Sequence, residues 1–209
     1  MKVLVIGTGN MGAGFVKQLA AAGHQVSVTA RDQTKAHAVA QQFGAVAVAA
    51  AGSAAAVDAI VLATPYAEAV AALLAVGDLT GKTVIDITNP LTPDYMGLTL
   101  GHNTSAAEEI AKAVPGAEVV KGFNTVFAQV LAEGAELGGG QKVTVFVASE
   151  SDRAKQTARA LAESMGFRVM DAGGLQNARY LEPVAGLNIY FGYGAGLGTG
   201  IAPTWIHKN

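Results

Sequence analysis

The 209-residue chain has no cysteine, a single tryptophan and only four histidines. Without cysteine, a disulfide scaffold and any cysteine-based metal or redox site are excluded. The four histidines are dispersed along the chain, which argues against a zinc site. We therefore expect a protein that binds no metal.

Charge is also scarce, at 14% of the residues against about 25% in an average soluble protein. With a net charge of −2, the chain lacks the excess of positive charge that binds DNA or RNA, so no nucleic-acid partner is expected. The hydrophobic fraction of 51% excludes a disordered chain. Much of that fraction is alanine, which suits helices packed closely on a sheet.

Long apolar runs suited to a membrane are missing too. The first apolar run, 3–6, is broken at Gly7 and is too short for a signal peptide. Residues 183–206 carry no charge, but they contain two prolines, Asn188 and six glycines. We expect this segment to be buried and closely packed, without membrane contact, and the protein to be cytoplasmic.

Strand and helix patterns alternate along the whole chain, which predicts an α/β fold of the Rossmann-like, doubly wound type with a mostly parallel sheet. No linker separates the halves, so we expect one domain, 1–209, with a core of 1–122 and a same-sheet extension with a Gly-rich helical tail over 123–209. The predicted strands are 2–6, 25–29, 45–49, 59–63, 83–87, 118–122, 142–148 and 167–171. The predicted helices are 11–22, 33–43, 66–76, 105–114, 151–165 and 176–198.

A glycine motif, Gly7-Thr8-Gly9-Asn10-Met11-Gly12, lies between the first strand and the first helix. Gly7 permits a tight turn, Gly9 lets a pyrophosphate approach the backbone, and Gly12 lets the helix pack on the strand. The pyrophosphate is expected on the N–H groups that begin the helix, where the helix dipole favours anions. In this context the motif predicts a dinucleotide-binding core.

The end of the second strand indicates which dinucleotide binds. A carboxylate at this position typically holds the ribose 2′-hydroxyl of NAD, but here the strand ends Thr29-Ala30-Arg31. Asp32 follows and is expected to cap the next helix, while Lys35 lies one helical turn beyond Arg31. Arg31 and Lys35 are therefore predicted to hold a 2′-phosphate, so that the cofactor is NADP.

Other strand ends supply candidate residues, because ligands of open parallel sheets bind beyond the carboxyl ends of the strands. Two further segments are predicted to contact the cofactor, Ala63-Thr64-Pro65-Tyr66 and Asn89-Pro90. Asn89 and Asn124 are candidates for orienting a carboxamide or a substrate carbonyl. The expected active-site loops are 91–104 and 124–141.

An acid or base catalyst does not stand out, so the catalytic residue stays unknown. No tyrosine is followed by lysine four residues later. Lys121 and His102 are the remaining candidates for a proton donor. Hydride transfer between a nicotinamide and a flavin-like ring needs mainly alignment, whereas reduction of a ketone requires a proton donor.

Several of these residues together resemble the NADP oxidoreductases that use the deazaflavin coenzyme F420. The matching pieces are the glycine motif, Arg31 with Lys35, Thr64-Pro65, Asn89-Pro90-Leu91 and the stretch 171–179, followed by Glu182 and 187–189. The cytosolic domains of six-transmembrane metalloreductases are similar as well. A histidine common in the helix after the Thr-Pro turn is matched here by Glu68. The resemblance implies NADP bound through Arg31 and Lys35, and hydride exchange with an electron carrier.

Three functions follow as hypotheses. The first is hydride transfer between NADP(H) and a deazaflavin, flavin or quinone-like acceptor. The second is NADPH-dependent reduction of a small carbonyl or imine, with His102 or Lys121 as proton donor. The third is a non-catalytic NADP-binding regulatory module. A planar cavity walled by 124–130 and 187–196 would favour the first.

The uncharged tail also bears on assembly. Glycines four apart, from Gly192 to Gly200, would form flat stripes on a helix, flanked by aromatic residues. A charge-free face would be an exposed apolar patch unless something covers it. We expect a second copy of the chain to cover it in a homodimer.

Overall fold

In the computed structural model, which describes residues 1–206, six parallel strands form one sheet. The strands are β1 (Lys2–Ile6), β2 (Gln25–Thr29), β3 (Val46–Ala47), β4 (Ala59–Leu62), β5 (Thr83–Asp86) and β6 (Glu118–Lys121). Their order in the sheet is β3-β2-β1-β4-β5-β6. The strand order reverses between β1 and β4, which is where doubly wound sheets bind ligands. Residues 207–209 of the expected domain lie outside the described residues.

Helices cover both faces of the sheet, as predicted. They are α1 (Asn10–Ala21), α2 (Gln33–Phe43), α3 (Tyr66–Ala75), α4 (Ala106–Ala113), α5 (Ala128–Glu133), α6 (Asp152–Ser164) and α7 (Ala178–Ile189). Val3 and Val5 of β1 belong to one core cluster with Phe15 of α1. Leu4 belongs to the opposite cluster with Leu73 of α3, because side chains of a strand alternate between faces. Within residues 1–206, every helix is too short or too polar to cross a bilayer.

The first four elements, from β1 to α2, begin and end within one residue of the predicted positions, since the signals that bound them are local. Asp32 caps α2 by accepting hydrogen bonds from the N–H groups of Thr34 and Lys35. Gly44 ends the same helix with a φ of 73°. Strand β3 is shorter than predicted, because it pairs over two residues where five were expected.

The segment 124–141 was expected to be a loop, and this expectation is wrong. It contains α5 and most of a short hairpin, β7 (Glu136–Leu137) with β8 (Gln141–Lys142). A six-residue helix and two-residue strands are too short to produce a readable hydrophobic period. Leu131 of α5 is fully buried beside α1, so tertiary packing stabilises this short helix.

The last two strands, β9 (Thr144–Val147) and β10 (Arg168–Asp171), pair in parallel with each other. They join the main sheet at β6 through one antiparallel bridge between Lys121 and Ala148, whose two N–H···O distances are 2.9 and 3.0 Å. The expected extension of a mostly parallel sheet is therefore present, although the added pair runs opposite to β6.

The C-terminal helical tail is present, but it ends before residue 198. Helix α7 continues into a wider π-type turn over Tyr190–Gly194. Beyond that turn, Gly196 and Gly198 have φ angles of 73° and 79°, which a right-handed helix does not allow. The predicted glycine stripes therefore do not form one helical face.

The expectation that residues 183–206 are buried is also wrong for the single chain. Several large apolar side chains of this segment are more than half exposed, namely Leu187, Tyr190, Tyr193, Leu197, Trp205 and Ile206. Gly192 packs closely, since a Cβ atom there would lie 2.7 Å from Cζ of Phe127, and Ala185 and Asn188 are buried as well. The tail thus anchors through Gly192 and leaves its aromatic residues at the surface.

Candidate active site

The glycine loop after β1 is held by contacts that only glycine permits. Gly7 has a φ of 116°, and a Cβ atom on it would lie 2.3 Å from the carbonyl oxygen of Ala63. A Cβ atom on Gly12 would lie 2.1 Å from the carbonyl oxygen of Gly7. The Gly7 N–H also donates to the Thr29 carbonyl at 2.8 Å. The loop is therefore fixed between the carboxyl ends of β2 and β4.

Gly9 differs from these two glycines because nothing lies within 4 Å of its Cβ position. It is the N-cap of α1, makes no side-chain cap hydrogen bond and is followed by no acidic residue in the first turn. Free N–H groups and the positive end of the helix dipole therefore face open space. This arrangement fits the predicted pyrophosphate, with Thr8 and Asn10 flanking it.

The basic residues that follow β2 lie at the protein surface. The Arg31 side chain is 85% exposed, and its Nη2 atom lies 3.0 Å from Oε1 of Glu68. Lys35 is exposed and lies 3.9 Å from the Asp32 carboxylate. The Ala30 carbonyl accepts a hydrogen bond from Gln33. The predicted basic pair is thus present at the surface, where each cation lies beside a carboxylate.

The turn after β4 leads into α3, the helix that also carries Glu68. Pro65 is the N-cap of α3 and Tyr66 is its first residue. Burial raises the pKa of Tyr66, and the carboxylates of Glu109, Glu182 and Asp86 raise it further. Tyr66 is therefore a neutral, half-buried aromatic residue, suited to contact with a ring or a sugar.

A cavity of about 560 Å³ opens beside the first turn of α1, where Met11 lines it. Its size falls within the usual range of ligand pockets. Its walls come from both expected active-site loops and from the start of the tail. The lining residues are Met11, Asn89, Asp94, Tyr95, Met96, Asn124, Thr125, Val126, Phe127, Ala128, Ala185, Asn188, Ile189 and Tyr193.

Two asparagines predicted to orient a ligand meet at the floor of this cavity. Nδ2 of Asn89 donates to the backbone carbonyl of Asn124 at 2.8 Å, and Nδ2 of Asn124 donates to Oδ1 of Asn89 at 3.0 Å. Asn124 also donates to the Leu181 carbonyl of α7. Its own Oδ1 is buried and has no hydrogen-bond partner within residues 1–206. The two asparagine side chains are thus held in place by contacts within the protein.

A buried charge cluster, Lys121, Asp86 and Glu182, lies behind these asparagines. Nζ of fully buried Lys121 lies 2.7 Å from Oδ2 of Asp86 and 2.8 Å from Oε1 of Glu182, and it donates to the Thr88 carbonyl. Burial lowers the pKa of Lys121, but the two carboxylates outweigh this effect and raise the pKa above its usual value. Lys121 therefore stays charged.

The cluster corrects the interpretation of Lys121 as a proton donor. Its side chain is 0% exposed and does not line the cavity. The sequence signal that was missed is a pair of opposite charges at the ends of two buried strands, Asp86 on β5 and Lys121 on β6, which are neighbours in the sheet. Glu182 completes the cluster from α7, a contact that one sequence does not reveal.

The other proton-donor candidate is also absent from the cavity lining. His102 is exposed, has a φ of 55° and lies in the loop before α4. Asp94 is the carboxyl group that lines the cavity, and the hydroxyl of Thr92 together with the N–H of Met96 lowers its pKa. Asp94 is therefore ionised at neutral pH and is not a proton donor.

Comparison with known proteins identifies the family. The sequence model for "NADP oxidoreductase coenzyme F420-dependent" matches residues 2–90. The F420-dependent NADP reductase of Methanothermobacter marburgensis is 32% identical, and the alignment covers 90% of this chain and 91% of that protein. The chain belongs to the F420-dependent NADP oxidoreductase family. It is accordingly an NADP-dependent oxidoreductase with a Rossmann-like fold.

Solved structures agree with this assignment. A proposed F420-dependent NADP reductase from Arthrobacter sp. FB24 has a TM-score of 0.84 and 31% identity, with 96% of each chain covered. A reductive aminase from Aspergillus terreus, solved with NADPH, has a TM-score of 0.68 at 20% identity over 93% of this chain and 62% of that one. The aminase shows a shared fold alone.

Part of a larger protein is also similar. The rat metalloreductase STEAP3 is 29% identical over 88% of this chain, but this chain spans only 36% of its length. The assignment to a family therefore rests on the F420-dependent NADP reductases, whose alignments cover 90% of this chain.

The open space at Gly9 generates a binding prediction. Gly9→Val should abolish NADP binding, because the branched side chain enters the space expected for the pyrophosphate. The fold should persist with a loss of at most about 1 kcal/mol, since valine is a poorer N-cap than glycine. Calorimetric titration with NADP and thermal unfolding measure the two effects.

Gly138→Val is the matched control, because nothing lies within 4 Å of that Cβ position either and Gly138 has no positive φ. This control should bind NADP normally. Near-normal binding by Gly9→Val would show that the pyrophosphate lies elsewhere.

The buried cluster generates a stability prediction. Lys121→Met should lower the free energy of unfolding by about 3–5 kcal/mol, because two carboxylates stay buried without their cation. Lys112→Met removes a side chain that is 67% exposed and pairs with Glu109, and it should cost at most about 1 kcal/mol. Equal urea midpoints for the two variants would contradict this role.

The same cluster predicts the direction of a pH effect. The pKa of Lys121 is higher in the folded state than the ordinary 10.5, so its contribution is complete below pH 10.5 and is lost as pH rises from there through the folded pKa. Wild type should therefore lose more stability than Lys121→Met above pH 10.5. Parallel losses in the two proteins would argue against a charged lysine in the cluster.

Proposed function

We propose that the protein transfers a hydride between NADP(H) and a planar electron carrier of the deazaflavin, flavin or quinone type. The observation that carries this proposal is the position of the cavity. It opens beside the start of α1 and is walled by Asn124–Ala128 on one side and by Ile189 and Tyr193 on the other. These are the walls expected for a ring stacked beside the nicotinamide.

The residues present fit the cofactor. The glycine loop would hold the pyrophosphate, and Arg31 with Lys35 would hold the 2′-phosphate. The adenosine half would lie against the ends of β2 and β4, formed by Thr29, Ala30, Ala63, Thr64, Pro65 and Tyr66. Asn89 and Pro90 would face the nicotinamide half. When bound, NADP(H) supplies the hydride donor or acceptor of the reaction.

The cavity residues would act by orienting and desolvating the reacting rings. Asn89 and Asn124, joined by their own hydrogen bonds, line the cavity and would orient a carboxamide or a carbonyl of one ring. Val126, Phe127 and Ile189 supply apolar walls that exclude water. Alignment of two rings is the main requirement of such a transfer. The absence of His102 and Lys121 from the lining disfavours carbonyl or imine reduction through those residues.

Deazaflavin is the acceptor that we favour. The two Methanothermobacter relatives that match 90% of this chain are both F420-dependent NADP reductases. The chemistry of the cavity, apolar and aromatic with a few amides, suits a tricyclic ring.

Oxidation of NADPH, followed at 340 nm with deazaflavin, FMN and a quinone as separate acceptors, tests the function. We expect turnover with deazaflavin and slower or no turnover with the others. Turnover with none of the three, and none with a cyclic imine, from a protein that binds NADPH would favour the regulatory module. Turnover with cyclic imines alone would favour the second hypothesis.

The 2′-phosphate site yields its own prediction. Arg31→Ala should weaken NADP binding about 10- to 150-fold, the equivalent of a charge-assisted contact of about 1.5–3 kcal/mol. NAD binding should barely change, because NAD lacks the phosphate. Dissociation constants from calorimetry measure both effects. An equal loss of affinity for the two nucleotides would contradict the assignment of Arg31 to the 2′-phosphate.

We further propose a cytoplasmic homodimer in which the tail of one chain is covered by the other. The exposed apolar residues of the tail support this proposal, since Tyr190, Tyr193, Leu197 and Trp205 are each more than half exposed. Patches of this kind commonly mark an interface. Tyr193 also lines the cavity, so the seam of such a dimer would lie close to the acceptor.

A further inference from the structure

The ion pair between Arg31 and Glu68 joins two elements that flank the glycine loop. Arg31 follows β2, and Glu68 lies in the first turn of α3, after β4. In the sheet, β1 lies between β2 and β4. The Nη2–Oε1 contact of 3.0 Å therefore spans the edge of the sheet from which the glycine loop emerges.

In this ion pair, Glu68 binds the Arg31 guanidinium, which is the group that the proposed function assigns to the 2′-phosphate. Arg31 is the one cation within ion-pair distance of Glu68 in the described part of the chain. Lys35, its neighbour at the proposed phosphate site, lies beside a different carboxylate, that of Asp32. A phosphate that binds Arg31 must compete with Glu68 for the guanidinium. The 2′-hydroxyl of NAD does not need the guanidinium and therefore does not compete with Glu68.

The exposure of both partners makes the competition reversible. The side chains of Arg31 and Glu68 are 85% and 39% exposed, and exposed ion pairs are weak enough to exchange in water. The guanidinium is therefore divided between a paired and a free population. A ligand that needs the free population binds with an affinity reduced by that fraction.

We propose that Glu68 is a specificity-determining residue, which competes with the 2′-phosphate for Arg31 and thereby reduces the preference of the site for NADP over NAD. This inference rests on the proposed 2′-phosphate site. It assigns to Glu68 a role opposite to that of Arg31, because removal of the carboxylate should strengthen NADP binding.

The test is calorimetric binding of NADP and NAD to Glu68→Gln. NADP should bind about two- to six-fold more tightly than to wild type, the range set by an exposed pair of ordinary strength, and NAD should bind unchanged. Adenosine 2′-monophosphate should show the same gain and adenosine 5′-monophosphate none. The gain should shrink as salt rises, since salt screens exposed charges.

Glu163→Gln is the matched control. It removes the same charge and breaks an exposed pair with Arg159 on α6, where the Nη1–Oε1 distance is 3.3 Å. This control should leave both nucleotides at wild-type affinity. In an Arg31→Ala background the Glu68→Gln gain should vanish, because no guanidinium is left to release.

The outcomes separate this inference from the proposed function. If Arg31→Ala weakens NADP binding but Glu68→Gln leaves it unchanged, the competition is wrong and the phosphate site stands. If Glu68→Gln tightens NAD and NADP equally, the competition is also wrong. If Arg31→Ala leaves NADP binding intact, the phosphate site itself is wrong, and the role of Glu68 falls with it.

Discussion

The buried cluster of Lys121, Asp86 and Glu182 is the interaction on which the site depends. It joins the ends of β5 and β6 to α7, and the Glu182 carboxylate also accepts the first N–H groups of α4. Because Lys121 also holds the Thr88 carbonyl, the turn that carries Asn89 is fixed from below. One charged group thus places both the floor and a wall of the cavity.

The glycine loop supplies the second constraint. Backbone contacts at Gly7 and Gly12 place the start of α1 over the end of β1, while Gly9 keeps the space above it clear. Met11 then lies both in the first turn of α1 and in the cavity lining. The glycine loop and the cavity are therefore adjacent because they share one helix turn.

Local signals explain what the sequence predicted well. The glycine motif, the Asp32 cap and the Gly44 terminus act within a few residues, and the elements that they bound were predicted closely. Long-range contacts explain the rest. The Arg31–Glu68 pair joins residues from different elements, and the completion of the Lys121 cluster by Glu182 depends on α7. Helix α5 is stabilised by burial of Leu131 beside α1 rather than by interactions within the helix. The tail was predicted to be buried, yet composition alone does not distinguish an apolar segment packed on its own sheet from one left at the surface.

The central claim is that the cavity holds the acceptor ring against the nicotinamide, and direct transfer of label tests it most closely. NADPH carrying deuterium at C4, on either face in separate samples, would be oxidised with deazaflavin, and the product analysed by mass spectrometry. Carbon 5 of the reduced deazaflavin retains a transferred hydride. The account predicts one deuterium in the product from one of the two NADPH samples and none from the other. Unlabelled product from both samples, despite oxidation of NADPH, would contradict it.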